Sequence, residues 1–531
     1  MDMDSELVYL KQNALIEPLH ADWYAWSLLL IPQTGAMYAA NAHVKLMQSF
    51  TQAPMVHATA LQNPAMRGGP YLDIDPARAP EVKEILARTL DTQAPLLELA
   101  EAIKQADRLL SEEAKGTPLE ALYKKLPPAL HGYVELVYDL KDNPSMRFIE
   151  GLLYKSRYFR KASQALCFSL MQPDKRHFVI STPRLKNPGD FMVQIPFEAP
   201  ALDALYAMRG KAAPFGQIRE ALGISPEDAG AFRAFFTAEA PRTRPRYAGA
   251  EPRLRYFGHA CVLLEAPGVS ILFDPVVSYD FEGKHDRFTQ ADLPETLDYV
   301  ILTHNHQDHV MLETLLELRH RTKTLVVPRS SGGSLLDPSL KLMFQNIGFK
   351  NVIEVGEMEE IPVEGGRITA LPFLGEHGDL DVRTKSAYAV SLGHQSFLMM
   401  ADSNNIDPAL YQHIHGILGD VGVVFLGMEC TGAPMSWLYG PLLLKPPIRK
   451  NDLARRLDGS DCDKGMKIVD MFHPGHVYIY AMGQEPWLGH VMSVTYTDES
   501  KAIVESNRLI GLCKERGMQA ERLFMQKELQ F

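Results

Sequence analysis

Seven consecutive residues, Thr303-His304-Asn305-His306-Gln307-Asp308-His309, hold three imidazoles and a carboxylate. At 3.6 residues per turn, no helix presents all four on one face. A loop leaving a strand can splay His304 and His306 toward one point and Asp308 and His309 toward another. That arrangement would hold two metal ions a few ångströms apart. The run before it, Leu297 to Thr303, reads as the buried strand that delivers the loop. A lone histidine in an apolar stretch is usually a satisfied core residue, but four ligand-type side chains in six residues resist that reading.

Two metals need more ligands, and three downstream apolar runs end in ionisable side chains. Thr369–Gly375 runs into Glu376-His377-Gly378-Asp379, Ser396–Ala401 into Asp402, and Val423–Gly427 toward Glu429. Asp402 alone would read as a turn residue or helix cap. Beside a dimetal motif it reads as a bridging carboxylate with one oxygen for each ion. The Glu376-His377 pair decides the chemistry. With His377 as ligand the site is nitrogen-rich and suits zinc. With Glu376 as ligand the first metal sees two imidazoles and two carboxylates, which suits iron and oxygen activation. Glutamate can also change between one- and two-oxygen ligation, which makes Glu376 a candidate gate.

The elements that position these residues are predicted as follows. A chain of 531 residues exceeds one ordinary core, so two domains are expected. Residues 1–245 read as α+β, with helices over Pro80–Leu110 and across Leu130–Leu170, the latter interrupted near Asn143-Pro144. Strands follow at His177–Ser181 and Asp190–Ile195, then helices near Leu202–Met208 and Pro226–Phe236. The basic, proline-rich Ala240–Arg246 reads as a linker. Residues 246–531 alternate strands and helices, beginning with Leu254–Leu264 paired with Val269–Pro275 across a Pro267-Gly268 turn. The fold class predicted is α/β, with an αββα sandwich at the C-terminus.

Composition excludes several classes. A net charge of −11 argues against general nucleic-acid binding. Five scattered cysteines form no disulfide framework and suit a reducing compartment. The acidic start is unlike a signal peptide, and no apolar run is long enough to span a bilayer, so a cytoplasmic protein without membrane partners is expected.

The HxHxDH pattern resembles the signature of the metallo-β-lactamase fold. Joined with Gly375–Asp379, Ala401–Asn405, Gly427–Cys430 and Tyr480–Trp487, it resembles the diiron β-hydroxylases of nonribosomal peptide biosynthesis over the whole chain. The resemblance implies two iron ions, dioxygen as cosubstrate, and an external electron donor such as a reductase. It implies a substrate amino acid, aromatic or aliphatic such as leucine, tethered as a thioester to a peptidyl carrier domain. By position, His304, His306 and Glu376 would serve one iron, Asp308 and His309 the other, and Asp402 would bridge. His473 is favoured as the last ligand, with His476 and Glu429 as alternatives. The N-terminal domain would help form a homodimer. Trp437–Gly440 and Glu485–Trp487 are candidate channel walls. Lys445–Lys450, with Arg455 and Arg456, is a candidate docking face for an acidic carrier. The rival readings are a zinc hydrolase of the same fold, a flavin-partnered diiron reductase, and a metal-free scaffold.

Overall fold

The computed structural model describes residues 3–63, 66–171, 174, 176–242, 244–281 and 285–531. Its C-terminal half is built on two seven-stranded sheets stacked face to face. In the first sheet Val269–Phe273, Leu297–Ile301 and Thr322–Pro328 run parallel. In the second, Gln395–Met399, Val423–Gly427 and His476–Tyr480 run parallel.

The strand Val423–Gly427 explains why such segments read as unbroken apolar runs. Val423 and Phe425 pack into the core between the sheets with Tyr256, Phe273 and Tyr388. Val424 and Leu426 point the other way, into the core shared with Ile414, Ile468 and Leu509. Both faces are covered, so alternation between polar and apolar residues disappears. The helices Pro408–Leu418, Cys462–Phe472 and Lys501–Glu515 cover that outer face, while Leu312–Leu318 and Leu340–Asn346 pack on the outer side of the first sheet. This is the αββα sandwich expected.

The N-terminal region is mixed α and β and shares one continuous core with the first sheet, from Val8 and Trp26 through Leu315 and Phe344. The expected helices near residue 80–110 are Ala79–Thr92 and Ala94–Glu113. Pro200–Ala207 and a shorter Ala229–Arg233 match the later pair. The helical reading of Leu130–Leu170 is corrected. Val134–Tyr138 and Pro144–Phe148 form an antiparallel hairpin, and Gln164–Leu170 is a strand. Burial there alternates every second residue, with Val134 and Leu136 in and Glu135 out, which is strand periodicity. Phe191–Gln194 is a strand as expected, but in His177–Ser181 the first three residues have no regular structure and Ile180 and Ser181 lie in a turn.

The basic stretch between the two regions is stapled down rather than free. Arg242 and Arg244 both pair with Asp292, and Arg246 pairs with Asp298. Thr243 lies outside the described residues.

The helix Leu312–Leu318, which follows the histidine loop, is gripped by the N-terminal region. Arg176 pairs with both Glu17 and Glu313 at 2.8 Å, and Arg184 pairs with Glu17 at 2.7 Å. One turn on, Arg209 pairs with Glu317 at 2.7 Å. Ser27 donates a hydrogen bond directly to Asn305 inside the loop.

Candidate metal centre

Both sheets deliver the C-terminal ends of their parallel strands to one rim. Asp274 directly follows Val269–Phe273, Thr303–His309 follows Leu297–Ile301, and Asp402 follows Gln395–Met399. Ligand sites in open α/β sheets favour such ends. The backbone pays locally: Asp274, Glu376 and Ala401 all have positive φ, at 37°, 66° and 48°. Such strain in non-glycine residues concentrates at functional sites. Gly427 shows how tightly the rim is packed. A Cβ there would stand 2.3 Å from the Ala401 carbonyl oxygen and 2.7 Å from Asp402 Oδ1.

Two clusters of ligand atoms meet on this rim. In the first, Glu376 Oε1 lies 2.6 Å from His306 Nδ1, and Oε2 lies 3.5 Å from His304 Nε2. In the second, His309 Nε2 lies 3.0 Å from Asp402 Oδ2 and 3.8 Å from Asp308 Oδ2. Asp402 Oδ2 is also 3.9 Å from His304 Nε2, so Asp402 stands between the clusters. Of the pair that sequence left open, Glu376 joins His304 and His306 in one cluster. His377 turns its Nδ1 toward the Gly375 carbonyl oxygen, 3.2 Å away.

His473 is corrected. It caps the Cys462–Phe472 helix at a left-handed φ of 47°, with 64% of its side chain exposed, and pairs with Asp420 at 3.0 Å. The reason is topological. His473 and His476 precede or begin the parallel strand His476–Tyr480, so they lie at the opposite end of the sheet from Asp402. Glu429, which follows its strand, does reach the cavity beside the cluster. Burial, and then the charges of Asp402, Asp308 and Glu376, hold its carboxyl well above the usual range.

Sequence reasoning missed two residues. His259 Nε2 lies 3.3 Å from Asp308 Oδ2 and 3.3 Å from His309 Nε2. It sits at the turn between Arg253–Gly258 and Cys261–Ala266, which form a hairpin where one strand was expected. The glycine before it was the available signal. Asp274 is the second. It lies 2.8 Å from His309 Nδ1, and its Oδ2 accepts from the Thr303 hydroxyl at 2.6 Å. The Thr303 oxygen is in turn 2.9 Å from His304 Nδ1. This chain fixes which ring nitrogen of His304 and His309 carries the proton and leaves both Nε2 atoms facing the cluster. Tyr439 does the same for His306, with its hydroxyl 3.2 Å from Nε2.

The donor set fits metal ions. His304 Nε2, Glu376 Oε2 and Asp402 Oδ1 are buried without a hydrogen-bond partner. Burial holds the His304 imidazole far below its usual pKa, whereas the facing carboxylates outweigh burial and hold His306 and His309 above theirs, so positive charge is favoured at the cluster. Asp308 is held well below its usual value because His309 and His259 outweigh its burial. Buried carboxylates in this number need cations. Asp274→Asn is therefore expected to lower metal affinity by about 10- to 100-fold by freeing His309 to rotate. Chelator competition checks it, and unchanged affinity would show that Asp274 does not orient the ligand.

A cavity of about 910 Å³ opens on this cluster. His306, Asp308, Glu376, Asp402 and Glu429 lie at its floor, and Trp26, Tyr38, Phe178 and Trp437 supply aromatic wall. Of the expected walls, Trp437, Leu438 and Gly440 do line it. The Glu485–Trp487 segment does not. Trp487 is buried against Arg287, and Glu485 accepts from the Tyr256 hydroxyl at 2.6 Å.

Residues 9–241 match the family described as the diiron non-heme beta-hydroxylase N-terminal domain, and residues 270–435 match the beta-lactamase superfamily domain. The chain belongs to the diiron β-hydroxylase family. It is 39% identical over 530 residues to the 4-amino-L-phenylalanyl-[CmlP-peptidyl-carrier-protein] 3-hydroxylase of Streptomyces venezuelae, covering 98% of this chain and 99% of that one. The crystal structure of CmlA, a diiron beta-hydroxylase from the same organism, superposes with a TM-score of 0.92 at 37% identity, covering 99% of this chain and 100% of that one. A UPF0173 metal-dependent hydrolase of Opitutus terrae is 28% identical over 196 residues, covering 37% of this chain and 82% of that protein.

Proposed function

We propose that this protein inserts one oxygen atom from dioxygen into the β C–H bond of an amino acid held as a thioester on a peptidyl carrier domain. The overall balance consumes dioxygen, two electrons and two protons and yields the β-hydroxy amino acid and water. The observation that carries the reading is the carboxylate of Glu376, set between His304 and His306 where a zinc hydrolase would use imidazole. Full-length relationship to a carrier-dependent hydroxylase supports it, whereas the likeness to a hydrolase covers about a third of the chain.

In this reading His304, His306 and Glu376 would hold one iron, and Asp308 and His309 would hold the other. Asp402 would serve both, and His259 or Glu429 would complete the second site. Two bound irons would supply activation of dioxygen. The protein's own residues do the rest. Asp274, Thr303 and Tyr439 fix the imidazole orientations. The aromatic wall of Trp26, Tyr38 and Trp437 excludes water and places the side chain over the floor.

Glu376 is proposed as the gate: it would hold the first iron and make the oxygen reaction depend on bound substrate. Glu376→Asp shortens its reach, so the reduced variant is expected to consume oxygen without loaded carrier. Oxygen uptake with and without aminoacyl carrier checks this, and an unchanged dependence on carrier would remove the gate.

The proposal extends to an external reductase, a homodimer through residues 1–245, and a cytoplasmic setting. No described helix is long and apolar enough to cross a membrane, and all five cysteines are buried and unpaired. Sedimentation tests the dimer. For the carrier, Lys445, Arg449 and Lys450 are exposed with no ion pair among the described residues, beside exposed Leu444 and Ile448. Arg455 instead serves the fold, donating to the Gly378 carbonyl at 2.8 Å. The decisive test of the whole reading is mass spectrometry of candidate aminoacyl carriers after incubation with reduced enzyme and oxygen. Gain of one oxygen atom supports it, while thioester cleavage without oxygen gain favours the hydrolase.

A further inference from the structure

The cavity has a charged mouth as well as a charged floor. Lys45, on the helix Val44–Gln52, and Lys104, on the helix Ala94–Glu113, both line it. Neither ammonium has a hydrogen-bond or ion-pair partner among the described residues. The two are close enough to disfavour each other. Burial first, and then the charge of Lys45, pull Lys104 below the usual lysine range. Glu101, one turn before Lys104, is already committed to Gln105 at 3.1 Å and Arg108 at 3.0 Å. Two mutually repelling cations with no direct ion pair among the described residues, offset only in part by a Glu101 carboxylate that Arg108 also engages, mark a place where an anion would be stabilised.

Their position along the cavity narrows which anion. Tyr38 donates to the Leu438 carbonyl, and the next residue, Tyr439, contacts His306. From Tyr38 the chain runs helically outward to Lys45, seven residues on, which is about 10 Å of helix. Tyr38 is buried and Lys45 exposed. The lysines therefore stand at the solvent end, with the metal ligands at the other. A phosphopantetheine arm reaching down this cavity carries its thioester at the deep end and its one phosphate at the shallow end.

We propose that Lys45 and Lys104 form an anchoring site for the phosphate of the phosphopantetheine arm, setting how deep the thioester reaches toward the metal centre. The inference rests on the carrier-bound reading of the substrate, and its first test does not depend on turnover. Calorimetric titration compares 4′-phosphopantetheine with pantetheine on the wild type and on the Lys45→Ala/Lys104→Ala double variant. The phosphate is expected to tighten binding to the wild type about tenfold, the strength of a charge-assisted contact, and to add nothing in the double variant. Lys104→Arg, which keeps the charge, should retain most of the gain. A phosphate contribution absent from the wild type, or surviving in the double variant, overturns the proposal. So does inorganic phosphate binding as tightly as phosphopantetheine, because the site would then read phosphate alone.

The second test uses turnover. The ratio of kcat/KM on loaded carrier to kcat/KM on a phosphate-free aminoacyl-pantetheine thioester should fall about tenfold in the double variant. An unchanged ratio counts against the anchor. If the wild type hydroxylates neither substrate, the functional reading fails, and the calorimetry still decides whether the lysines bind phosphate.

Discussion

Asp402→Ala is expected to bind no more than one metal tightly and to lose turnover by well over the ~100-fold that removing an outer partner of a ligand costs. Asp402 is a carboxylate placed toward both clusters, 3.0 Å from His309 and 3.9 Å from His304. Its Oδ1 has no hydrogen-bond partner, so loss of the carboxylate leaves no protein contact unmade at that oxygen. The fold should survive, since the change removes one buried negative charge from among several. Metal content after dialysis, with turnover on loaded carrier, measures both effects. Two retained metals would show that the clusters are held independently and that Asp402 does not bridge.

The largest effect on stability is expected at Arg176. Arg176→Met should destabilise the protein by roughly 3–5 kcal/mol, the cost of leaving buried carboxylates without their partner. Side-chain exposures of 6% for Arg176 and 4% for Glu17 place the pair away from solvent, so screening offers little relief. Glu17 would keep Arg184, but among the described residues Glu313 would keep only the Tyr24 hydroxyl at 3.1 Å. Because Glu313 sits on the helix that follows the histidine loop, unfolding should begin where the N-terminal region grips the metal-binding sheet. Urea unfolding followed by tryptophan fluorescence checks this, and a loss below about 1 kcal/mol would place the pair with weakly coupled surface bridges.

The parts of this protein legible from sequence are those whose information is local. His304 to His309 declare themselves because four ligand side chains share one loop. Glu376 and Asp402 follow apolar strands and could be found by that rule. The αββα sandwich followed from alternating strands and helices. What failed needed three-dimensional information. His259 becomes a neighbour of Asp308 only because Gly258-His259 turns the chain, and the largely apolar residues on both sides let the two strands read as one. Asp274 matters through a hydrogen-bond chain to Thr303 and His309 that no spacing encodes. His473 looked suitable by type, but its place before a parallel strand sends it to the far end of the sheet. The hairpin at Val134–Phe148 was misread because its two strands are five residues each, too short to separate clearly from helical spacing.

The metal centre is proposed to be a carboxylate-rich pair of iron sites with Glu376 as a ligand. A crystal structure of the metal-loaded protein, with anomalous data collected at the iron and zinc edges, tests this most directly. The expected result is two iron peaks bridged by Asp402, with Glu376 bonded to the one held by His304 and His306. A zinc ion bound through His377, with the Glu376 carboxylate turned away, would contradict it.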